Sequence, residues 1–390
     1  MKILHVVPTY VPAWRYGGPI RSVHGLCKAL VELGHDVDVY TTNVNGSGIT
    51  NVPIGNPVSL EGVNVSYFEV NYLRRIYYSS SMKKSLNKNI KKFDLVHIHS
   101  VFLWPTLIAA RIARKHSIPY IISPRGMLVK DLLFKKSFLK KIIWILLFER
   151  KNILGASCLH VTSKLEADEI KKFFFIKSKK IINIPNGISK TDQKLDLKEK
   201  FEYDERLKKI GDYILYVGRI SWKKGLDRLI ESMTHIRDIN MIIAGNDEEN
   251  YTKVITKIIE DNRLENRIIL WGEVNEMQRS YLMQNAKLFV LTSYSENFGN
   301  VILEALLERC PVALTEDVGL YEMIVRAQAG THLSKLSKKI GEEINFALRI
   351  PEHLKSMSKK GYELVSKEFS WSSVAKQMDI AYKAVILSNK

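Results

Sequence analysis

Short apolar runs recur along the chain, each followed by a longer stretch in which apolar residues return every third or fourth position. In the first half the runs are KILHVVP, DVDVYTT, VNVSYFEV, DLVHIHS, PYIISPR, CLHVTS and KIINIP. In the second they are YILYVGR, NMIIAGN, RIILWGE, KLFVLTS, PVALTE and the weaker GTHLS. The runs predict buried strands, and the stretches between them predict helices, as in RSVHGLCKALVELG with its closing glycine. Strands alternating with helices imply parallel sheets covered on both faces. The expected fold is α/β, with two Rossmann-like doubly wound domains facing a cleft. The break falls near PNGISKTDQKLDLKEKFEYDERLKK, where a turn precedes a charged, strand-free stretch. This predicts domains at 1–190 and 191–370, with a helix at 371–390 returning to the first.

A chain of 390 residues suits two cores. At 46% hydrophobic and 26% charged it reads as water-soluble and globular. The N-terminal run is broken by Pro8 and lacks a signal-peptide pattern, and IIWILLF is too short to cross a bilayer, so the expected location is cytoplasmic. Cys27, Cys158 and Cys310 are scattered and read as buried thiols rather than a disulfide framework or a metal site. The charge is unevenly divided. Residues 1–190 hold 29 Lys+Arg against 11 Asp+Glu, so the whole net charge of +18 lies there, and the rest balances. The first domain is therefore expected to face something anionic.

Doubly wound sheets bind ligands at the carboxyl ends of their strands. After YILYV comes GRISWKKG, in which Arg219 and Lys224 stand at the mouth of a helix. The loop reads either as a diphosphate clamp or as a solvated basic loop. After KLFVLTS comes SENFGNVILEALLERC, in which Glu304 interrupts an apolar helix and Glu296 stands in the loop before it. Glu304 either meets a polar ligand or joins Asn300 and Glu308 in a thin wetted stripe. Glu296 beside free helix N-terminal amides suits a hydroxyl-rich ligand.

GRISWKKG followed by SENFGNVILEAL resembles the Arg/Lys loop and the Glu-x7-Glu motif of the retaining GT-B glycosyltransferases, family 4 or group 1. YGGPIRSV, DLVHIHS, VTSKLEADEI, IPNGIS and CPVALTEDVGLYEMI are similar to further family segments in the same order. The resemblance implies that Glu304 binds the ribose of a nucleotide sugar, Glu296 a hydroxyl of its sugar, and Arg219 with Lys224 its diphosphate. It further implies that Gly272, Glu273 and Val274 hold the base, that Asn297, Phe298, Gly299 and Asn300 hold the sugar, and that Gly17 and Gly18 approach the phosphates. In DLVHIHS, His99 lies nearer the carboxyl end; taken alone it reads as structural, and the resemblance places it in the catalytic group, while His97 packs in the core. Arg125 in SPRGM faces an acceptor or a phosphate. The sequence departs from the family pattern at Thr292, Asn246, Arg309 and Cys310, none of which removes a charged ligand-binding position.

The expected reaction is retaining transfer of a sugar from a nucleotide-sugar co-substrate to a glycan or polyprenyl-linked acceptor in bacterial surface-polysaccharide assembly. An Arg/Lys clamp with a helix N-terminus stabilises the leaving diphosphate, so no metal or other cofactor is expected. The lone Asp36-Val37-Asp38 reads as the entry to a strand. A sugar-nucleotide epimerase and a catalytically silent nucleotide-sugar-binding protein are the alternatives. Nucleic acid is not expected as a partner, because no base-stacking module is visible. LLFKKSFLKKIIWILLFER places Phe134, Phe138, Ile142 and Ile145 at helical spacing with Lys136 and Lys140 on another side, and KKFFFIKSKK follows. Both read as contacts to an anionic membrane surface, with snorkelling lysines on a buried helix as the alternative.

Overall fold

A computed structural model of the protein describes residues 1–13, 18–46, 48–128, 144–174, 180–190, 194–247 and 249–389. The chain divides into two units: Met1–Gly187 with Trp371–Lys390, and Ile188–Ser370. The boundary falls at Gly187 rather than at residue 190, and the helix Trp371–Ser388 belongs to the first unit.

Each apolar run forms a strand. In the first unit the sheet order is Ile181–Asn183, Cys158–Val161, Tyr120–Ser123, Leu95–His99, Lys2–Val6, Asp36–Thr42, Val63–Phe68 and Val58–Leu60. All neighbours are parallel except the last pair. That antiparallel edge strand and the small pair Val44–Asn45 with Gly48–Ile49 escape the sequence reading, being too short to show a period. In the second unit the order is Ile268–Gly272, Asn240–Ala244, Tyr213–Val217, Leu288–Leu291, Val312–Thr315 and Gly330–Leu333, all parallel. Both sheets start in the middle, run to one side, then return and run to the other. The reversal lies between Lys2–Val6 and Leu95–His99 in the first unit, and between Tyr213–Val217 and Leu288–Leu291 in the second. Loops leaving the two strands at such a point diverge and leave room for a ligand.

Asp36 and Asp38 begin a strand and lie 2.6 and 3.9 Å from the Lys2 ammonium. The three cysteines are free and buried. Among the described residues, no helix is long and apolar enough to cross a membrane. Ile145 is buried, whereas Phe134, Phe138, Ile142, Lys136 and Lys140 lie outside the described residues, as does much of the Lys171–Lys180 stretch.

The helix Trp371–Ser388 completes the core of the first unit with Val374, Ala375, Met378, Tyr382 and Val385. Its entry is set by size. A side-chain carbon on Gly25 or on Gly187 would fall 2.3 Å from atoms of the Trp371 indole. The ring lies where both residues must lack a side chain. Gly25 sits inside the helix Gly18–Glu32, where replacement by alanine would otherwise stabilise by about 1 kcal/mol. Overpacking costs about 1 to 3 kcal/mol and should win. Gly25→Ala and Gly187→Ala are therefore expected to lower stability in urea unfolding, and a gain for Gly25→Ala would show that the indole is not confined there.

Candidate active site

In the second unit, the loops leaving the two reversal strands are tied together before either presents a charge. Gly225 has φ +62°, and a side-chain carbon there would fall 2.0 Å from the Thr292 carbonyl. Glycine alone permits this approach. Thr292 Oγ1 donates to the Gly225 carbonyl at 2.9 Å, and the Tyr294 amide donates to the Lys223 carbonyl at 2.8 Å. Arg228, only 4% exposed, donates Nε to the Thr292 carbonyl at 2.8 Å and Nη2 to the Ser293 carbonyl at 2.7 Å, and stacks on Tyr294. Burial lowers its pKa. Sequence reasoning missed Arg228; its signal was an arginine within the apolar opening of LDRLIES.

This frame sets Lys224 against Glu296, whose Oε2 accepts from the ammonium. The two side chains are 15% and 20% exposed, so a ligand can reach both. Glu296 is fixed by its backbone, whose amide donates to the Asp317 carbonyl and whose carbonyl accepts from the Gly319 amide. Arg219 is exposed on the same loop as Lys224. Asn297 and the buried Phe298 lead to Gly299, at φ +94°, and Asn300 opens the helix Asn300–Leu307.

Glu304, one turn into that helix, forms an ion pair at 2.8 Å with Arg279 Nε, and both side chains are about a fifth to a quarter exposed. Arg279 was not foreseen, because it lies on a separate helix, Glu276–Asn285. The wetted-stripe alternative fails at Glu308, whose side chain is 6% exposed and lies 3.3 Å from Lys190 while accepting from Gln284 Nε2 at 2.7 Å. Gly272 ends its strand at φ +94°, and Glu273 and Val274 follow it at the carboxyl edge of the same sheet.

In the first unit, a pocket of about 180 Å³ opens at the reversal point. It is lined by Val7, Pro8 and Thr9 after one strand, His99, Ser100 and Leu103 after the other, and Arg125 beyond the next. Pro19 and Ile20 from the first turn of Gly18–Glu32 complete one wall. Gly18 starts that helix, and Gly17 lies outside the described residues.

Behind the pocket, buried histidines form two hydrogen-bonded chains of fixed direction. The Ile184 carbonyl can only accept, so His160 Nε2 donates to it at 2.9 Å, and His160 Nδ1 accepts from the Ser123 hydroxyl at 2.7 Å. Ser123 then accepts from His97 Nε2 at 2.6 Å, and His97 Nδ1 accepts from the Tyr382 hydroxyl at 2.6 Å. In the second chain, Arg125 Nη2 donates to His99 Nδ1 at 3.1 Å, and His99 Nε2 donates to His5 Nδ1 at 2.9 Å. Burial, then neighbouring charge, keeps all four rings neutral: His97 and His99 lie well below the usual range, and His5 and His160 are held at about 3. Nitrogens of His5, His97 and His99 lie within 4.8 Å of one another. Five of these six nitrogens are already hydrogen-bonded within the two polarised chains, and a guanidinium adjoins His99. His97 is a core residue, as expected. His99 is 1% exposed with both nitrogens occupied, so it holds Arg125 in place instead of offering a free ring nitrogen.

Two family models cover successive parts of the chain: glycosyltransferase family 4 over residues 16–191 and glycosyl transferases group 1 over residues 198–364. The chain belongs to the group 1 glycosyltransferases. This glycosyltransferase is 27% identical to an uncharacterised glycosyltransferase of Methanocaldococcus jannaschii, over 98% of each chain. It is 22% identical to the O-antigen biosynthesis glycosyltransferase WclY of Escherichia coli, over 78% of this chain and 83% of that one. Its fold is similar to that of HepE from Anabaena, solved in complex with UDP and glucose, with a TM-score of 0.74 at 18% identity over 98% and 100% of the two chains. The glycosyltransferase thus carries an ion-paired site in one unit and a cationic pocket in the other.

The neutral histidines make the first unit acid-sensitive. Below about 6.5 the unfolded chain protonates His5 and His160, whereas the folded chain resists until about 3. The unfolded state binds more protons in that window, so stability falls as pH falls, by up to about 1.4 kcal/mol per pH unit for each histidine. Urea unfolding at pH 7.5, 6.5 and 5.5 is expected to show a loss confined to the two lower values, and a flat profile would refute the neutral network.

Proposed function

We propose that the enzyme is a retaining glycosyltransferase that moves a sugar from a nucleotide-sugar donor to a glycan or lipid-linked glycan acceptor during bacterial surface-polysaccharide assembly. The observation that carries this reading is the Lys224–Glu296 pair beside the N-terminus of Asn300–Leu307. A cation and a carboxylate at one helix mouth suit a diphosphate joined to a polyol. HepE with UDP and glucose, and an O-antigen glycosyltransferase among the relatives, support the same donor and pathway class.

In this reading Lys224 and Arg219 bind the donor diphosphate, Glu296 turns to a hydroxyl of the donor sugar, and Glu304 leaves Arg279 to accept from the ribose. Backbone around Gly272, Glu273 and Val274 holds the base, and Asn297 to Asn300 orient the sugar. The acceptor hydroxyl attacks the anomeric carbon on the face from which the diphosphate departs. The bond to the diphosphate oxygen breaks with its electron pair going to that oxygen, which also takes the hydroxyl proton. Cationic side chains placed where that charge develops lower the barrier without a metal.

Donor turnover on a panel of nucleotide sugars, with and without a glycan or polyprenyl-linked acceptor and in the presence of a chelator, tests the reaction. Acceptor-dependent turnover that survives chelation is expected, with Lys224→Ala slower by roughly two to three orders of magnitude. Acceptor-independent conversion of the sugar would indicate an epimerase, binding without turnover a silent protein, and metal-reversible loss a different mechanism.

We further propose that the first unit works at the inner face of the cell membrane, supported by the +18 carried by residues 1–190 and by the cationic, aromatic segments there. Each lysine near acidic lipid contributes about 1 kcal/mol. Sedimentation with anionic but not neutral liposomes, weakened by Lys136→Glu with Lys140→Glu, is the expected result, and equal, negligible binding to both would overturn it.

A further inference from the structure

We propose that the pocket of the first unit holds an anionic group of the acceptor, a carboxylate or a phosphate, on the guanidinium of Arg125, so that the enzyme selects charged acceptor sugars over neutral ones. The inference rests on reading the chain as a glycosyltransferase and assigns the chemical class of its acceptor.

Arg125 is held by neutral groups. Its Nη1 donates to Asn186 Oδ1 at 2.7 Å and its Nη2 to the neutral His99 ring. Its Nε is buried and has no partner. It forms no ion pair with any described residue. The buried carboxylate of Glu166 pulls on it electrostatically, and the oxygens of that carboxylate accept from the Gly126 and Thr162 amides at 2.6 and 3.1 Å. Lys224 with Glu296 and Arg279 with Glu304 form ion pairs in the second-unit site, whereas this cation forms none among the described residues. Burial outweighs the pull of Glu166 and pushes the Arg125 pKa down to about 10, so part of the cost of burying this charge is not offset within the protein. A bound anion removes that cost.

The backbone is arranged to keep the group there. Arg125 has φ +56°, a region that non-glycine residues seldom occupy, and the next amide is pinned by Glu166. His99 fixes the plane of the guanidinium, whose N–H sets the tautomer of His99 and leaves its Nε2 to donate to His5. A forked donor held in plane by two neutral acceptors is suited to a planar carboxylate or to two oxygens of a phosphate. The other lining groups are mostly apolar, Val7, Pro8, Pro19, Ile20 and Leu103 among them, so the charge acts in surroundings that screen it poorly.

Two sources could supply the anion, an acceptor substituent or the diphosphate of the donor, and the test separates them. The full-length chain is saturated with UDP to fill the donor site, then titrated calorimetrically with glucuronate, glucose 1-phosphate and glucose. The same titrations are made on Arg125→Gln and Arg125→Lys, and UDP affinity is measured for all three proteins. The native chain is expected to bind both anionic sugars at least tenfold more tightly than glucose. Arg125→Gln should bind all three alike, Arg125→Lys should keep part of the preference, and UDP affinity should not change. Equal affinity for charged and neutral sugars in the native chain would overturn the proposal. So would a loss of UDP affinity in Arg125→Gln with the sugar preference intact, which would assign the guanidinium to the donor. Should Arg125→Gln fail to fold, Arg125→Lys still decides, because an unaltered preference there would show that the fork is not the binding group. A charge preference found in a chain that turns over no nucleotide sugar would retain the anion site while removing the transferase reading beneath it.

Discussion

Parallel strands satisfy their backbone hydrogen bonds only sideways, and their crossover helices must cover both faces of the sheet. All carboxyl ends of one sheet therefore emerge along the same edge. Where the strand order reverses, two neighbouring loops turn away from each other, and no element of the sheet itself fills the gap. Both units obey this rule, and their chemistry collects at that place. In the second unit the gap receives Lys224 and Glu296, and in the first it receives Val7 to Thr9, His99 and Arg125. The apolar runs that make the strands thus decide where the polar groups stand.

The two gaps treat charge in opposite ways. In the second unit every carboxylate of the motif has a cation at hand: Lys224 for Glu296, Arg279 for Glu304, Lys190 for Glu308. A ligand entering there must exchange one partner for another, which favours a molecule bearing both an anion and hydroxyls. In the first unit the cation is held by an amide oxygen and an imidazole, neither of which cancels it.

The strands and the loops that matter were legible because both arise from local patterns: apolar runs, helical spacing and the residues directly after each run. What was not legible depends on pairs far apart in the chain. Arg279 meets Glu304, Arg228 reaches the Thr292 carbonyl, and Tyr382 directs His97 across most of the sequence. No spacing announces such pairs, because periodicity reports which face of an element is buried and not what faces it. His99 is instructive. Its place at a strand end was readable, but its role depends on Arg125 and His5, which come from two other strand ends. The edge strand Val58–Leu60 was lost for a simpler reason, since a strand paired on one side only needs little apolar sequence.

The helix Trp371–Ser388 closes a unit whose other residues end at Gly187, and the whole of the second unit is spelled out between them. A ribosome therefore delivers the second unit, which is continuous, before it delivers the piece that the first unit lacks. During that interval the first unit has an uncovered apolar face where Val374, Met378 and Tyr382 will pack, and His97 has no hydroxyl to direct it. The half of the protein made first is the half finished last, and the notch between Gly25 and Gly187 must wait for its indole.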